Sequence, residues 1–537
     1  MSTSVTCTSL SFSWSDGTPV LEDLDVAFGP GRTGLVGVNG SGKSTLLKLI
    51  AGELTPTDGA VRVAGEVGYL PQNVTLDTGL SVDEVLGIAA RRAALHAIEA
   101  GDASEAHFET LGDDWDVEER ALATLGELGL GDIGLDRTIG EVSGGESVLL
   151  RLAALLLRRP DVLLLDEPTN NLDLYARRRL YAAVASWPGV MVVVSHDREL
   201  LDLVDQIADL RSGEISWYGG NFSAYEESLA TEQEAAERMV RVAEADLKKQ
   251  KRELTDAQTK LARRKRYGQK MFEQKREPKI VMGARRRAAQ VSAGKHRIMH
   301  EERLAEAKER LDDAVEAVRD DDEIRVDLPY TAVPPGRDVL TLMDLELAYG
   351  ARVKGGFDLR GPERVALIGR NGAGKTTLLR TIAGELAPVS GEATAHVPLR
   401  FLPQRLDVLD GELSVAENVA RFAPGATNNR IRARLARFLF RGARADQPAA
   451  TLSGGERFRA ALAALMLAEP APQLLMLDEP TNNLDMASVR QLTTALESYE
   501  GALIVASHDV PFLESIGVTR WLLLDGELRE ITPDEIG

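Results

Sequence analysis

The chain has 537 residues, enough for two to four domains, and its 44% hydrophobic residues suffice for ordinary globular cores. No stretch approaches 18 uncharged apolar residues and the first residues lack a basic-then-apolar pattern, so neither a membrane span nor a signal peptide is predicted. The single cysteine, Cys7, excludes an internal disulfide or a zinc cage and fits a reducing cytoplasm. The net charge of −20, taken alone, argues against nucleic acid as a partner.

The first motif along the chain is a glycine-rich loop that fits the pattern G-x-x-x-x-G-K-[ST]. Apolar residues before it end a strand and those after it begin a helix, which is the context that such a phosphate-binding loop requires. Backbone amides of the loop would surround phosphate oxygens, and the helix N-terminus adds its dipole. Lys43 should reach the β- and γ-phosphates and Ser44 should bind Mg²⁺. The predicted nucleotide-binding residues here are Gly37, Asn39, Gly40, Gly42, Lys43, Ser44 and Thr45.

The second motif is an apolar run that becomes acidic and then turns, at residues 163–173. A short apolar run bounded by proline predicts a buried parallel strand. Its end would place Asp166 and Glu167 where a doubly wound sheet binds its ligand. One carboxylate can hold Mg²⁺ while the other accepts a proton from an attacking water. We therefore predict Asp166 as a metal ligand and Glu167 as the catalytic base.

Both motifs occur a second time, after a period of 332 residues for the loop. Lysine and glutamine are 29 residues apart in each copy, and so are the strand-end glutamate and a later histidine. These matched spacings predict one α/β domain duplicated, over residues 1–222 and 336–537. The second copy supplies the corresponding nucleotide, metal and catalytic residues: Gly369, Asn371, Gly372, Gly374, Lys375, Thr376, Thr377, Gln404, Asp478, Glu479 and His508, beside Gln72 and His196 of the first copy.

An acidic insertion distinguishes the first copy, because Gln72 and Ser143 are 71 residues apart whereas Gln404 and Ser453 are 49 apart. We place the additional 22 or so residues at about 95–117. Two interpretations remain open: a solvated helical loop, or an arm that contacts a basic protein surface.

The linker between the copies, residues 223–335, is basic. From Lys248 to His300 it carries 18 Lys and Arg against 4 Asp and Glu, a net of +14, which leaves −34 for the rest of the chain. Apolar residues recur every seven positions from Val240 to Leu261 and from Leu304 to Val318, which predicts two long helices paired as a hairpin. Such a density of positive charge attracts phosphate backbones, and folded RNA suits the tip better than duplex DNA. A solvated coiled coil is the alternative. The predicted RNA contacts are Arg264, Lys265, Arg266, Lys275, Arg276, Arg285, Arg286 and Arg287.

The segments VSGGE at 142–146 and LSGGE at 452–456 resemble the signature of the ATP-binding-cassette superfamily. Each copy also has, in the family's order, a glutamine after a strand, an Asp-Glu strand end and a Ser-His-Asp switch. The resemblance implies two tandem cassettes, each with a parallel-sheet core, an antiparallel β subdomain and a helical signature subdomain.

It further implies that the cassettes pack head to tail, with each ATP between one phosphate loop and the opposite signature. The signature residues concerned are Ser143, Gly144, Gly145, Glu146, Ser453, Gly454, Gly455 and Glu456. It assigns Mg²⁺ to Ser44, Gln72, Asp166, Thr376, Gln404 and Asp478, and catalysis to Glu167, Glu479, His196 and His508. Trp14 and Tyr349 would stack on adenine, with core packing as the alternative.

The closer resemblance is to class F of this superfamily (ABC-F), because the two cassettes are fused, no membrane segment is present and a basic helical linker joins them. It implies a cytoplasmic, monomeric ATPase that binds the ribosome when ATP closes the cassettes, sets its linker near peptidyl-tRNA and rRNA, and leaves on hydrolysis. Translation control and protection against antibiotics both stay open. The alternatives are an ATPase that recruits separate membrane subunits for transport, and a DNA-repair ATPase.

Overall fold

The computed structural model describes residues 4–72, 77–211, 213–273, 298–300, 302–315, 328, 330–349, 351–482 and 484–536. Contacts divide the chain into two compact units. The larger unit contains both copies of the repeat, Met1–Phe222 and Asp322–Gly537, and the smaller is Ser223–Asp321. The domain limits inferred from the sequence, 1–222, 223–335 and 336–537, stay predictions.

The first cassette alternates strands and helices after an initial β-hairpin. Its strands are β1 (Ser4–Ser13), β2 (Pro19–Phe28), β3 (Gly31–Val36), β4 (Asp58–Ala64), β5 (Val67–Leu70), β6 (Val162–Asp166), β7 (Val190–Val194), β8 (Gln206–Arg211) and β9 (Glu214–Gly219). Its helices are α1 (Lys43–Ile50), α2 (Val82–Leu86), α3 (Ala89–Glu99), α4 (Glu105–Leu111), α5 (Val117–Glu127), α6 (Gly144–Arg158), α7 (Leu174–Ala185) and α8 (Arg198–Leu201), with a 3₁₀ turn at Ile139–Glu141. Much of the acidic insertion is thus helical, in α3 and α4.

Two sheets form the first cassette. The larger has the order β5-β6-β7-β3-β8-β9, parallel except for its last pair. Strands β6 and β7 are buried at every residue, as expected of parallel strands covered on both faces. The smaller sheet, β2-β1-β4, is antiparallel, and residues of β1 alternate between buried and exposed over much of its length. Cys7 is buried in β1, and this burial raises the pKa of its thiol to about 11.

Two helices are described in the linker unit. The first, α9 (Phe222–Glu273), is 52 residues long, and the second, α10, covers 298–300 and 302–315. Arg310 of α10 and Asp246 of α9 form an ion pair at 3.2 Å, so the two helices lie side by side there. Among the predicted RNA contacts, the Arg266 side chain is exposed. The side chains of Arg264 and Lys265, and the whole of Lys275, Arg276, Arg285, Arg286 and Arg287, lie outside the described residues.

The second cassette repeats the first. Its strands are β10 (Asp338–Glu346), β11 (Arg352–Arg360), β12 (Arg364–Ile368), β13 (Ser390–Ala395), β14 (Leu399–Leu402), β15 (Leu474–Asp478), β16 (Ala502–Ala506), β17 (Arg520–Asp525) and β18 (Glu527–Ile531). Its helices are α11 (Lys375–Ile382), α12 (Val415–Phe422), α13 (Asn428–Leu435), α14 (Gly454–Met466), α15 (Met486–Glu497) and α16 (Val510–Ser515). Short 3₁₀ turns lie at Ala436–Phe438, Gly442–Asp446, Ala449–Thr451 and Pro533–Ile536.

One pairing joins the two sheets of the second cassette. Its strands follow the order β13-β10-β11-β18-β17-β12-β16-β15-β14, and the antiparallel part meets the largely parallel part through Arg352 and Glu527. Each cassette buries one apolar cluster among its helices and another beneath the antiparallel strands. The predicted α/β fold of two tandem cassettes is confirmed. Within the described ranges, no helix is both long and apolar enough to cross a membrane.

Candidate functional site

Each phosphate loop depends on glycine where its strand ends. Gly37 and Gly369 have φ values of 150° and 155°. A Cβ atom on Gly37 would lie 2.4 Å from the carbonyl oxygen of Leu210, and one on Gly369 would lie 2.3 Å from that of Leu524. Both distances are shorter than van der Waals contact, so another residue would displace the loop. The loops then lead into the N-termini of α1 and α11, where unpaired amides favour an anion.

The loop lysines are buried and folded back onto their own loops. Lys43 Nζ donates to the carbonyl oxygens of Gly37, at 2.8 Å, and of Val38, at 3.0 Å. Lys375 Nζ donates to the Gly369 carbonyl oxygen and to His508 Nε2, at 2.8 and 2.9 Å. Desolvation lowers the pKa of both lysines. These ammonium groups therefore lie inside the loops that are predicted to surround the phosphates.

The two predicted carboxylates of the first copy meet the phosphate loop at the end of β6. Ser44 donates to one oxygen of Asp166 at 2.9 Å, and the Tyr69 hydroxyl donates to the other at 3.4 Å. Glu167 has a left-handed backbone, with φ of 48°, a strain that concentrates at functional sites. Its Oε1 lies 3.2 Å from His196 Nε2, and burial raises the pKa of this carboxyl. The same burial, together with Lys43, keeps His196 neutral by lowering its pKa.

The second copy has the same arrangement with one difference. Glu479 has φ of 47°, its Oε1 lies 3.3 Å from His508 Nε2, and burial raises its pKa to about 7. Phe401, which pairs with Met476 as Tyr69 pairs with Leu164, has no hydroxyl to offer Asp478. Both carboxylate oxygens of Asp478 are buried without a hydrogen bond of normal geometry.

The adenine and magnesium residues taken from the family pattern lie at the edges of these sites. Trp14 is 44% exposed and contacts Phe12 edge to face, with ring centroids 5.0 Å apart. Tyr349 is 73% exposed, and a Cβ atom on Gly374 would lie 3.3 Å from its carbonyl oxygen. Such exposure does not fit the alternative of core packing for Tyr349. The side chains of Gln72 and Gln404 are also exposed.

The signature serines begin helices α6 and α14 as N-caps. Ser143 Oγ accepts from the Glu146 amide, while the Glu146 carboxylate accepts from the Ser143 amide. Ser453 and Glu456 form the same capping box, and the Ser453 hydroxyl also donates to the Glu456 carboxylate at 2.9 Å. The glutamates thus hold the serines in place. Amides of the first helical turn, including those of Gly145 and Gly455, remain suited to an anion.

Each phosphate loop is contacted by the opposite cassette through an aspartate that follows the acidic strand. Asp485 accepts from the Asn39 amide at 3.0 Å, and Asp173 accepts from the Asn371 amide at 3.2 Å. Each aspartate uses its other oxygen to cap its own helix, α15 or α7. A Cβ atom on Gly145 would lie 3.5 Å from Asn371 Nδ2, so the first signature adjoins the second phosphate loop. The cassettes therefore meet head to tail.

Comparisons with known proteins agree with this geometry. A family model described as ABC transporter matches residues 21–170 and 355–482. The chain is 34% identical over 523 residues to the tylosin resistance ATP-binding protein TlrC of Streptomyces fradiae, covering 92% of each. It is 31% identical over 536 residues to the probable ATP-binding protein YheS of Escherichia coli strain K12, covering 96% of this chain and 78% of the relative. The chain belongs to class F of the ATP-binding-cassette superfamily.

Solved structures share this ABC-F protein's fold. An RNase-L inhibitor superposes with a TM-score of 0.57 at 20% identity, covering 95% of this chain and 87% of the other. A model of ribosome-bound archaeal Pelota and ABCE1 gives a TM-score of 0.51 at 21% identity, with 95% and 76% covered. At these identities the likeness shows the fold alone. With both cassettes of the family present, the ABC-F chain is an ATP hydrolase.

The donor groups of this ABC-F protein fit Mg²⁺. The unpaired, buried oxygens of Asp478 lie where an oxygen-binding cation would satisfy them, and Ser44 already reaches Asp166. Among the described residues, no group of three or more His, Cys, Asp or Glu side chains is placed to hold a metal ion. That is compatible with Mg²⁺, which takes one or two carboxylates and completes its shell with phosphate and water oxygens.

The sequence reasoning missed Arg177, which lies beneath the interface on α7. The Arg177 guanidinium donates to the Leu172 carbonyl oxygen at 3.3 Å, to Asp197 at 3.2 Å and, across the interface, to the His508 carbonyl oxygen at 3.5 Å. It therefore connects the switch loops of both cassettes. The same position after the capping aspartate of α15 is Val489, and comparing the two copies there would have revealed the difference.

A second one-sided contact involves Tyr175 on the same helix. The Arg370 guanidinium, in the second phosphate loop, lies over the Tyr175 ring at 4.9 Å. The corresponding residues of the other interface are Ala487 and Val38, which cannot make a cation–π contact. The two composite sites of this ABC-F protein are therefore held by different contacts.

Proposed function

We propose that this ABC-F ATPase binds the ribosome when ATP closes its cassettes, places its basic linker near peptidyl-tRNA and rRNA, and leaves after hydrolysis. Its place of action would be the cytoplasm. The observation that carries the proposal is the +14 segment between two ATP-binding cassettes of an otherwise acidic chain. A polyanion is the partner that such a segment attracts.

The relatives favour this partner over a membrane subunit. TlrC, which matches both cassettes and the linker, is named for resistance to tylosin, and one structural neighbour is named as ribosome-bound. These names support translation as the process and leave two roles, translation control or protection against an antibiotic. A transporter ATPase that recruits membrane subunits would not need the positive charge between the cassettes.

The residues of each site have separable roles in the proposed reaction. Lys43 and Lys375 would bind the β- and γ-phosphates, and signature amides of the opposite cassette would close over the γ-phosphate at a helix N-terminus. Mg²⁺, held by Ser44, Gln72 and Asp166 or by Thr376, Gln404 and Asp478, would neutralise phosphate charge. Glu167 and Glu479 would accept the proton of the attacking water. Their raised pKa values suit a base that works near neutral pH.

The two histidines contact these bases directly. His196 and His508 each present a neutral ring nitrogen to the glutamate of their own cassette. Their side chains would therefore orient the base and, beside it, the γ-phosphate. Closure would follow from ATP joining one phosphate loop to the opposite signature, and release of phosphate would free the halves again.

The decisive experiment uses the Glu167→Gln/Glu479→Gln variant. We expect it to retain ATP binding and lose at least about 10²-fold in turnover, because both proton acceptors are gone. It should pellet with ribosomes at physiological salt in the presence of ATP and stay in the supernatant without nucleotide. Normal hydrolysis would refute the assigned bases. Intact ATP binding without pelleting would refute the ribosome as partner and favour membrane subunits.

A matched variant checks that nucleotide, not charge alone, controls the binding. Adding Lys43→Ala and Lys375→Ala to the same protein removes the phosphate contacts and leaves the linker untouched. This variant should not pellet with ATP. Equal pelleting of both variants would mean that the basic linker binds the ribosome without regard to the state of the cassettes. Affinities should be compared over a range of salt, since phosphate contacts weaken as salt rises.

A further inference from the structure

A second basic surface lies in the helical subdomain of the second cassette. Residues 418–445 contain seven arginines and no lysine, aspartate or glutamate, in a chain whose net charge is −20. Six of the seven arginines belong to α13 and the turns after it. We call them the arginine patch: Arg430, Arg432, Arg434, Arg437, Arg441 and Arg444.

The patch concentrates like charge on one surface. Four of its members are exposed, and Arg432 and Arg434 are half-buried. Arg432 forms an ion pair with Asp446, which fixes the turn after α13 against that helix, and Arg430 lies 3.9 Å from Glu469. Burial, together with Arg430 and Arg437 nearby, lowers the pKa of Arg434. The fold thus tolerates repulsion among neighbouring guanidinium groups here.

The first cassette shows that packing does not require these arginines. Its α5 region has the same shape, since Gly129 and Leu439 occupy matching left-handed positions with φ of 70° and 68°. The following amides donate to matching carbonyl oxygens, Leu130 to Leu125 and Phe440 to Leu435. At the six patch positions the first copy has Arg120, Leu122, Thr124, Glu127, Gly131 and Gly134.

We propose that the arginine patch binds the phosphate backbone of RNA and forms a second ribosome contact, separate from the linker; this rests on the proposed function above. Guanidinium forks match phosphate oxygens in paired hydrogen bonds, and the patch uses arginine throughout. Five of the six positions differ in kind from a copy with the same local backbone. The charge is therefore addressed to something outside the fold.

Two other anionic partners fit less well. A membrane-surface helix needs an apolar face towards the lipid, but Ile431 and Leu435 of α13 are buried in the cassette. A protein partner is usually anchored by exposed aromatic residues, and the aromatic residues of this segment that follow α13, Phe438 and Phe440, are also buried. What remains exposed is polar and positive, which suits a phosphate backbone.

The test variant replaces three patch residues by Thr, Glu and Thr, the first two taken from the first copy: Arg434→Thr/Arg437→Glu/Arg441→Thr. The control makes the same three exchanges at exposed arginines of strands in the same cassette: Arg352→Thr/Arg529→Glu/Arg360→Thr. Both are made in the Glu167→Gln/Glu479→Gln protein for binding and in the parent for ATP hydrolysis. Net charge changes equally, so any difference between them reports the location of the charge.

Binding to ribosomes with ATP is measured by co-sedimentation across a salt series. The patch variant should bind at least about tenfold more weakly, and the slope of log affinity against log salt should fall by about two, because each lost phosphate contact removes roughly 0.7–0.9. The control should behave as the unmodified protein, and basal ATP hydrolysis should be unchanged in both. Equal affinity and slope in patch variant and control would overturn the patch proposal while leaving the proposed function standing.

Purified ribosomal RNA and anionic vesicles separate the remaining outcomes. If the unmodified protein fails to bind ribosomes, the proposed function falls, and filter binding to protein-free ribosomal RNA still decides the patch: weaker binding by the patch variant alone supports it, and equal binding overturns it. Vesicles of phosphatidylglycerol give the third reading. Loss of vesicle binding by the patch variant, with unchanged RNA binding, would assign the surface to lipid and overturn the proposal.

Discussion

Replacing Arg177 by Met should uncouple the two cassettes where their switch loops meet. The Arg177 guanidinium carries a buried positive charge between Asp197 of its own cassette, at 3.2 Å, and the His508 carbonyl oxygen of the other, at 3.5 Å. Asp509, which follows His508, has a pKa that burial and Asp197 raise and Arg177 lowers. Methionine keeps the length of the side chain and removes the cation. Two carboxylates would then face each other without a counter-charge.

The magnitude follows from the contact across the interface. A hydrogen bond to a charged group contributes about 1.5–3 kcal/mol, and the length of 3.5 Å favours the lower end. About 1.5 kcal/mol corresponds to roughly tenfold in the equilibrium for closure. In a Glu167→Gln background, hydrolysis reports the second site alone. We expect Arg177→Met to lower its turnover about tenfold at saturating ATP.

A control separates this effect from damage to the first cassette. Tyr181 donates to Asp197 at 2.7 Å, so Tyr181→Phe perturbs the same carboxylate without removing the charge at the interface. Its effect on second-site turnover should be small. Because a raised carboxyl pKa favours the protonated form in the closed state, the Arg177→Met defect should lessen towards about pH 6 and grow towards about pH 8. Second-site turnover within twofold of the parent would refute the coupling role.

Two further predictions concern packing. A Cβ on Gly455 would lie 2.6 Å from Ser488 Oγ, whereas one on Gly145 meets nothing nearer than 3.5 Å, so Gly455→Ala should lower the melting temperature without nucleotide and Gly145→Ala should not; equal melting of the two variants would contradict this. Arg364→Met should cost at least about 2 kcal/mol in the free energy of unfolding of the second cassette, measured in urea, because three carbonyl oxygens lose a charged donor, and an unchanged midpoint would contradict it. The three acceptors are Leu496, Tyr499 and Ile516.

The fold was predictable because its signals are local. Strand β6 is read from four apolar residues ending in a carboxylate, and the phosphate loop from glycines whose backbone no other residue adopts without displacement. The duplication gave each signal twice at matched spacing. That repetition also predicted the pairing of strand-end glutamate and histidine, which the structure places 3.2 and 3.3 Å apart in the two copies.

Contacts between the copies were not predictable in the same way. Arg177 looks like one of three consecutive arginines on an exposed helix until the fold buries it against His508 of the other cassette. Likewise Tyr69 looks like an ordinary strand residue until its hydroxyl meets Asp166. Each role depends on a partner roughly 100 to 330 positions away, and neither periodicity nor a motif carries that information.

The differences between the copies argue that the two ATP sites are unequal in a definite direction. The second phosphate loop is bound by Arg370 over Tyr175, and its switch by Arg177, whereas the first loop faces Ala487 and Val489. A contact that must break before the cassettes separate raises the free energy of opening on its own side. The α7 side carries two contacts that the chain cannot make on the α15 side. Opening should therefore begin at the first phosphate loop, with the second site as the one that holds the halves together.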